Sequence, residues 1–258
     1  MATPAPILGI PELDRELGPA LPPGWLALLE GRSGSGAPLF AKQFAQAGEG
    51  LLPVLYYTTF ERTEDIQRTF HDFGWPSDGL SVVNLADEYY DRVLRRDLEI
   101  SRTRERGLTY ADLAGVPSVP VRRRTYNLQH RLLSDLAAID KPFRLVVDSL
   151  DFFLEVLAAS EVMTMARQVR HLAQQYAGQA LLVLQAESHE RRVQGLLEDM
   201  ADLVVELHSE RVEKSYEHTF AIRKVRNHPS LTRLAPVTAT NRGFVLAPAP
   251  AAPDERQR

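Results

Sequence analysis

Residues 25–38 read Trp25-Leu-Ala-Leu-Leu-Glu-Gly31-Arg32-Ser33-Gly34-Ser35-Gly36-Ala37-Pro38, an apolar run that meets a glycine-rich turn. Trp25–Leu29 suits a buried strand, and Leu39, Phe40, Phe44 and Ala47 then recur at helical spacing and stop at Gly48. A strand, a tight turn and a helix start gather backbone N–H groups and a helix dipole around one point, where an anion is welcome. The string that holds phosphate in such a turn is G-x-x-x-x-G-K-[ST]. Gly31 and Gly36 satisfy its glycines, whereas Ala37 stands at the lysine position and Pro38 at the hydroxyl position.

Each departure removes a different contact. Ala37 carries no charge for the β- and γ-phosphates, and Pro38 has neither a hydroxyl for magnesium nor a backbone N–H. Proline is still comfortable in a first helical turn. A charge-assisted hydrogen bond is worth roughly 1.5–3 kcal/mol, so the sequence predicts a loop that keeps its shape and holds ATP and magnesium only weakly. Two cations could substitute. Lys42 lies five residues beyond Ala37, and about 100° of rotation per residue turns it off the phosphate face. Arg32 follows the first glycine directly, and a guanidinium can grip phosphate through two parallel bonds.

Outward from this loop the chain alternates between apolar runs and helical patterns. Val54–Phe60, Leu80–Leu85, Phe143–Val147 and Ala180–Leu184 read as strands; Glu64–Phe73 and the stretch from Val162 to Tyr176 read as helices. Leu145-Val146-Val147-Asp148 is an apolar strand ending in a carboxylate, the form of a segment that holds magnesium through water. Leu203–His208, Thr219–Val225 and Leu231–Thr238 alternate as antiparallel strands do. The expectation is an α/β fold with a mostly parallel central sheet flanked by helices and antiparallel strands at its C-terminal end. One domain over residues 1–246 and a disordered Ala/Pro-rich tail over 247–258 complete that expectation.

The chain has 258 residues, of which 44% are hydrophobic and 25% charged, enough for a sizeable core. With no cysteine there is no disulfide framework, thiolate metal site or cysteine nucleophile. No H-E-x-x-H spacing points to a metal, and no G-x-S-x-G elbow surrounds Ser149. No apolar run approaches the roughly 20 residues of a membrane span, and a cytoplasmic protein is expected. The net charge of −4 hides an asymmetry: residues 92–131 hold ten arginines and four acids, so the remainder carries −10. Within that stretch, residues 97–125 read as a basic excursion and Ser101–Arg124 as a loop. Arg95, Arg96, Arg102, Arg104, Arg106 and Arg122–Arg124 lie beside Tyr89, Tyr90, Tyr110 and Tyr126, a pattern open to an acidic protein partner, a neighbouring subunit or single-stranded nucleic acid.

The order of these pieces resembles the KaiC-like branch of the RecA-superfamily ATPases. Ile7–Asp14 with Leu21–Gly24 is similar to that family's entry segment, and the loop at Gly31–Pro38 follows it. Tyr57-Thr-Thr-Phe-Glu61, Phe73-Gly-Trp75, Val147–Leu150, Leu184–Ser188, Lys224-Val-Arg226 and Asn241–Val245 resemble its later elements in register. The resemblance implies a RecA-like P-loop core, with oligomers that place nucleotide between subunits. It implies Asp148 near magnesium, Glu61 orienting the attacking water, and Lys224 and Arg226 reaching a neighbour's γ-phosphate. Arg62 stands where the family has a second glutamate, and could pair with Glu61. The expectation is a non-hydrolysing regulatory or scaffold subunit acting through protein contacts, self-association or co-assembly with an intact paralogue. An ATPase using Arg32 or a neighbour's cation, and a nucleic-acid-binding relative, are the alternatives.

Overall fold

The computed structural model describes residues 7–48, 50–106, 128–212 and 215–247. Its sheet is built around β1 (Trp25–Gly31), in which every residue is buried. A strand covered on both faces must be apolar throughout, which is why this run lacks alternation. β1 is parallel to both neighbours, β5 (Gln179–Gln185) and β6 (Leu203–Val212). Beyond β5 the sheet continues, still parallel, through β4 (Arg144–Asp148), β2 (Val54–Thr58) and β3 (Leu80–Asn84). Beyond β6 it turns antiparallel through β7 (Ser215–Val225), β8 (Arg233–Thr240) and β9 (Gly243–Leu246). The full order is β3-β2-β4-β5-β1-β6-β7-β8-β9. This is the α/β class expected from the sequence, with its antiparallel extension.

Alternation along β1 still decides which layer each side chain enters. Trp25, Ala27 and Leu29 face α1 (Pro11–Leu17), α2 (Ala37–Gln46) and α3 (Thr63–Asp72). Leu26 and Leu28 face the other layer, formed by the start of α4 (Leu85–Arg106), α5 (Leu128–Ala137), α6 (Leu150–Val156), α7 (Ala159–Tyr176) and α8 (Arg191–Met200). Parallel strands send their C-terminal ends to one edge, so Gly31, Thr58, Asp148 and Gln185 meet there. β7 runs the opposite way and delivers Val225 to the other edge.

Two polar clamps fix α2, and with it the glycine-rich loop. Gln43 behaves like one more strand beside β9: its Oε1 accepts from the Phe244 N–H at 2.6 Å and its Nε2 donates to the Phe244 carbonyl at 2.8 Å. Arg144, fully buried, lies over the Phe44 ring at 3.7 Å and donates to Gln179 Oε1 at 2.6 Å and to the Ile7 carbonyl at 2.9 Å. Burial pushes its guanidinium down to about 9, with Asp14 opposing the shift.

The basic stretch departs from expectation. Residues 101–106, read as loop, continue α4. Arginine and glutamate are good helix formers, no glycine intervenes before Gly107, and pairs such as Arg95–Asp91 at 2.8 Å support the helix one turn apart. The rest of the excursion, residues 107–125, and tail residues 248–258 lie outside the described residues.

Candidate functional site

The loop after β1 has the backbone the sequence asks for. Gly36, the N-cap of α2, has φ +88°, and a Cβ there would come within 2.7 Å of Phe244 Cζ. Gly34 has φ +82°, so both positions need a residue at home in the left-handed region. Inside the loop the Ser35 N–H donates to the Arg32 carbonyl at 3.0 Å, and Ser35 Oγ accepts from the Ala37 N–H at 3.3 Å. Ser33 and Gly34 line the cleft next to it; Ala37 and Pro38 line it without a charge or a hydroxyl.

Asp148 closes β4 inside the same cleft, and its peptide bond to Ser149 is cis. The residue is 1% exposed. The Tyr56 hydroxyl donates to Oδ2 at 2.6 Å, while Oδ1 is buried with no hydrogen-bond partner among the described residues. Burial raises this carboxyl to about 6, against the Tyr56 hydrogen bond and the charge of Lys42. Burial, and after it the charge and hydrogen bond of Asp148, drive the Tyr56 phenol well above its usual range. Thr59 ties the strand ends together, its N–H donating to the Asp148 carbonyl at 2.8 Å and its Oγ1 accepting from the Ser149 N–H at 2.9 Å.

Glu61 follows β2 but does not line the cleft. Its Oε1 accepts from Lys42 Nζ at 2.6 Å, and Nζ also reaches the Pro38 carbonyl at 3.3 Å. As helix rotation implies, Lys42 does not line the cleft. Helical side chains lean toward the N-terminus of their helix, so a four-carbon stem recovers a full turn and brings the amine back under Pro38. The cation on Glu61 is therefore Lys42, where the sequence had suggested Arg62. Arg32 lines the cleft mouth and pairs with Glu187, each side chain 67% exposed.

The remaining walls include Phe60 of the Tyr57–Glu61 motif and Tyr90 of the basic stretch, beside residues that no motif singled out. The cleft encloses about 800 Å³ and includes Phe60, Tyr90, Phe152, Asp151, Glu155 and His189. Asp151 accepts from the Gln185 N–H and lies 2.6 Å from His189 Nε2. Tyr89 packs edge-on against Tyr90 and Phe152 at 5.5 and 5.6 Å between ring centres, and Tyr90 lies tilted against Phe152 at 5.8 Å. Asp151 and Glu155 are one turn apart on α6, a spacing that carries a signal only once β4 is known to end at the cleft.

Lys224 and Arg226 lie at the opposite edge of the sheet. Lys224 Nζ donates to the Glu198 and Asp199 carbonyls, both at 2.8 Å. Arg226 Nε donates to Asp202 Oδ1 at 2.6 Å, and its Nη2 to the Asp199, Met200 and Ala201 carbonyls at 2.7–3.1 Å. Both cations thus cover the C-terminus of α8, where orphan carbonyls and the negative dipole end attract them. They are remote from the loop of their own chain. Of the arginines with interleaved tyrosines, Arg122–Arg124, Tyr110 and Tyr126 fall outside the described residues. Among the described residues, no helix is long and apolar enough to cross a membrane.

A family model described as the KaiC ATPase matches residues 7–251. The chain is also similar in structure to a KaiC-like protein from the hyperthermophilic archaeon Pyrococcus horikoshii OT3, with a TM-score of 0.61 and 20% identity. That match covers 96% of this chain and 100% of the other, and at this identity it is a likeness of fold. No curated protein matches the chain.

Proposed function

The chain belongs to the KaiC ATPase family, and from that premise we propose that it is a non-hydrolysing member with a degenerate nucleotide site, working as a regulatory or scaffold subunit. One observation carries this reading: the cation position of the loop is Ala37, and the nearest lysine, Lys42, is buried against Glu61.

The donor set does not fit a magnesium triphosphate. Asp148 Oδ1 offers one unpartnered oxygen to a metal's water shell. The loop opposes it with no lysine for phosphate and no hydroxyl at Pro38 for the metal, and Ser35 Oγ is turned back onto the Ala37 N–H. Glu61, the residue that the resemblance makes the water-orienting base, is ion-paired away from the cleft. No hydrolytic step is assigned to this site.

Protein contact is supported by α4. It buries Leu85 and Ala86 and then presents Tyr90, Val93, Leu94 and Leu98 to solvent among arginines, a stripe at helical spacing. A second copy or an intact paralogue is the partner this reading names. Titration of the full chain with a fluorescent ATP analogue and magnesium, beside a phosphate-release assay, tests the proposal. Binding weaker than about millimolar and no turnover are expected; tight binding with steady release defeats it.

One observation favours a second reading. Arg32 is in the cleft and its pair with Glu187 is exposed on both sides, so it costs well under about 1 kcal/mol to break. An ATPase that recruits Arg32 would lose nucleotide binding on Arg32→Ala.

A further inference from the structure

The cleft whose loop carries no lysine is lined by carboxylates. Asp148, Asp151 and Glu155 line it against Arg32 and His189. Arg32 pairs with Glu187 across a contact exposed on both sides, and His189 lies against Asp151. Among the described residues Glu155 is exposed with no ion pair, and Asp148 Oδ1 is buried with no hydrogen-bond partner. A buried carboxylate oxygen without a donor is costly, and a cationic donor repays it most strongly. The walls suit the same guest. Phe152, Tyr90 and Phe60 form an aromatic side, Tyr90 and Phe60 being more than half exposed, and aromatic faces attract ammonium and guanidinium groups. The volume of about 800 Å³ holds a ligand of metabolite size.

We propose that this cleft binds an organic cation, its ammonium or guanidinium head between Asp148 and Glu155 and its alkyl chain against Phe152 and Tyr90. The inference rests on the reading that the site does not serve nucleotide. The buried oxygen supplies the hydrogen-bond acceptor, Glu155 supplies long-range attraction at the mouth, and the aromatic wall replaces the water that the head leaves behind. A free amine and a basic side chain of a partner share this chemistry.

Calorimetric titration of the full chain tests it in three arms: agmatine, a blocked peptide holding one arginine, and ATP with magnesium. Agmatine or the peptide is expected to bind, about 10-fold or more weaker in Asp148→Asn and in Glu155→Gln, since each removes a charge-assisted contact. Glu155 is exposed, so its variant keeps the test independent of folding. Tighter binding of agmatine identifies a free amine as the source, and tighter binding of the peptide identifies a partner's side chain. If neither binds at millimolar concentration, or if both variants bind as the parent does, the inference is overturned. Absence of binding in all three arms removes this inference and leaves the non-hydrolysing reading intact. Tight ATP binding with turnover removes both.

Discussion

Lys42 Nζ stands 2.6 Å from Glu61 Oε1, with the lysine side chain 4% exposed and the glutamate 24%. A pair this buried has given up most of its hydration, and removing one member leaves the other charged and poorly solvated. Lys42→Met is therefore expected to destabilise the fold by about 1–3 kcal/mol, the partial exposure of Glu61 holding the loss below that of a fully buried pair. Adding Glu61→Leu should recover much of it. Urea unfolding of both singles and the double forms a cycle in which the coupling between the two sites is read directly. Additive singles would mean that the ion pair contributes nothing.

The same amine restrains Asp148, and this gives a pH dependence with a definite sign. The folded carboxyl titrates at about 6, above its ordinary 3.8, because burial outweighs the help of Tyr56 and Lys42. The folded chain thus holds that proton more tightly than the unfolded chain. Its contribution favours folding below about pH 4 and is lost as the pH rises from there to about 6. Asp148→Asn should remove this slope. Relative to the parent, the variant should gain stability across that window, by about 1–3 kcal/mol at pH 7. Denaturant midpoints of both proteins between pH 4 and 7 check it, and parallel curves would contradict it.

How far this site was legible can be argued residue by residue. Trp25–Leu29, Leu145–Val147 and Ala180–Leu184 announce themselves because a strand buried on both faces must be continuously apolar. Asp148 is legible because it ends such a strand, and Gly34 and Gly36 because few other residues tolerate their backbone. The position of Lys42 off the phosphate face follows from helix rotation, but its partner Glu61 does not, because the lean of a long side chain toward the helix N-terminus is not written in the spacing. Tyr56, Glu155 and the Asp151–His189 pair were illegible for a different reason. They become neighbours only through the order of β2, β4 and β5, which no local pattern encodes. The Gln43 clamp on Phe244 joins residues 201 apart and is invisible for the same cause.

Gly36 ties that clamp to the loop. Its φ of +88° and the 2.7 Å approach of Phe244 Cζ leave no room for a methyl group. Gly36→Ala is expected to cost about 2–4 kcal/mol, from backbone strain together with displacement of a buried ring. Adding Phe244→Leu should return the steric part and leave the backbone part, so partial rescue in thermal unfolding is the expected outcome. No rescue would place the whole cost in the turn.

Arg226 separates a role inside its own chain from a role toward a neighbour. It donates to Asp202 and to three carbonyls at the end of α8, and Asp202 in turn accepts from the Leu26 N–H at 3.1 Å and Arg170 Nη2 at 2.9 Å. Arg226→Ala is expected to lower the stability of the dilute chain by about 2–4 kcal/mol, because the nearly buried Asp202 loses a charged donor and the helix end loses its cover. Lys224→Ala, which frees two carbonyls that water can reach, should cost about 1 kcal/mol. An arginine serving only a neighbouring subunit would leave unfolding of the dilute chain unchanged on replacement.

Restoring the missing chemistry is the most direct test of what the loop lacks. Gly31, Gly34 and Gly36 already hold the turn, and α2 already begins at residue 37. Ala37→Lys with Pro38→Thr therefore adds a cation, a hydroxyl and a backbone N–H to a preformed cradle, the lysine stem leaving from a position that lines the cleft. At roughly 1.5–3 kcal/mol for each charge-assisted bond, two recovered contacts correspond to about 100-fold or more in affinity for ATP with magnesium. The gain should need both changes, since the lysine meets phosphate while the threonine completes the metal's shell beside Asp148. Hydrolysis should remain slow even then, because Glu61 stays paired with Lys42. Equilibrium binding of a fluorescent ATP analogue to the parent, both singles and the double variant measures this. A double variant that binds no better than the parent would locate the defect in the acidic walls of the cleft rather than in its floor.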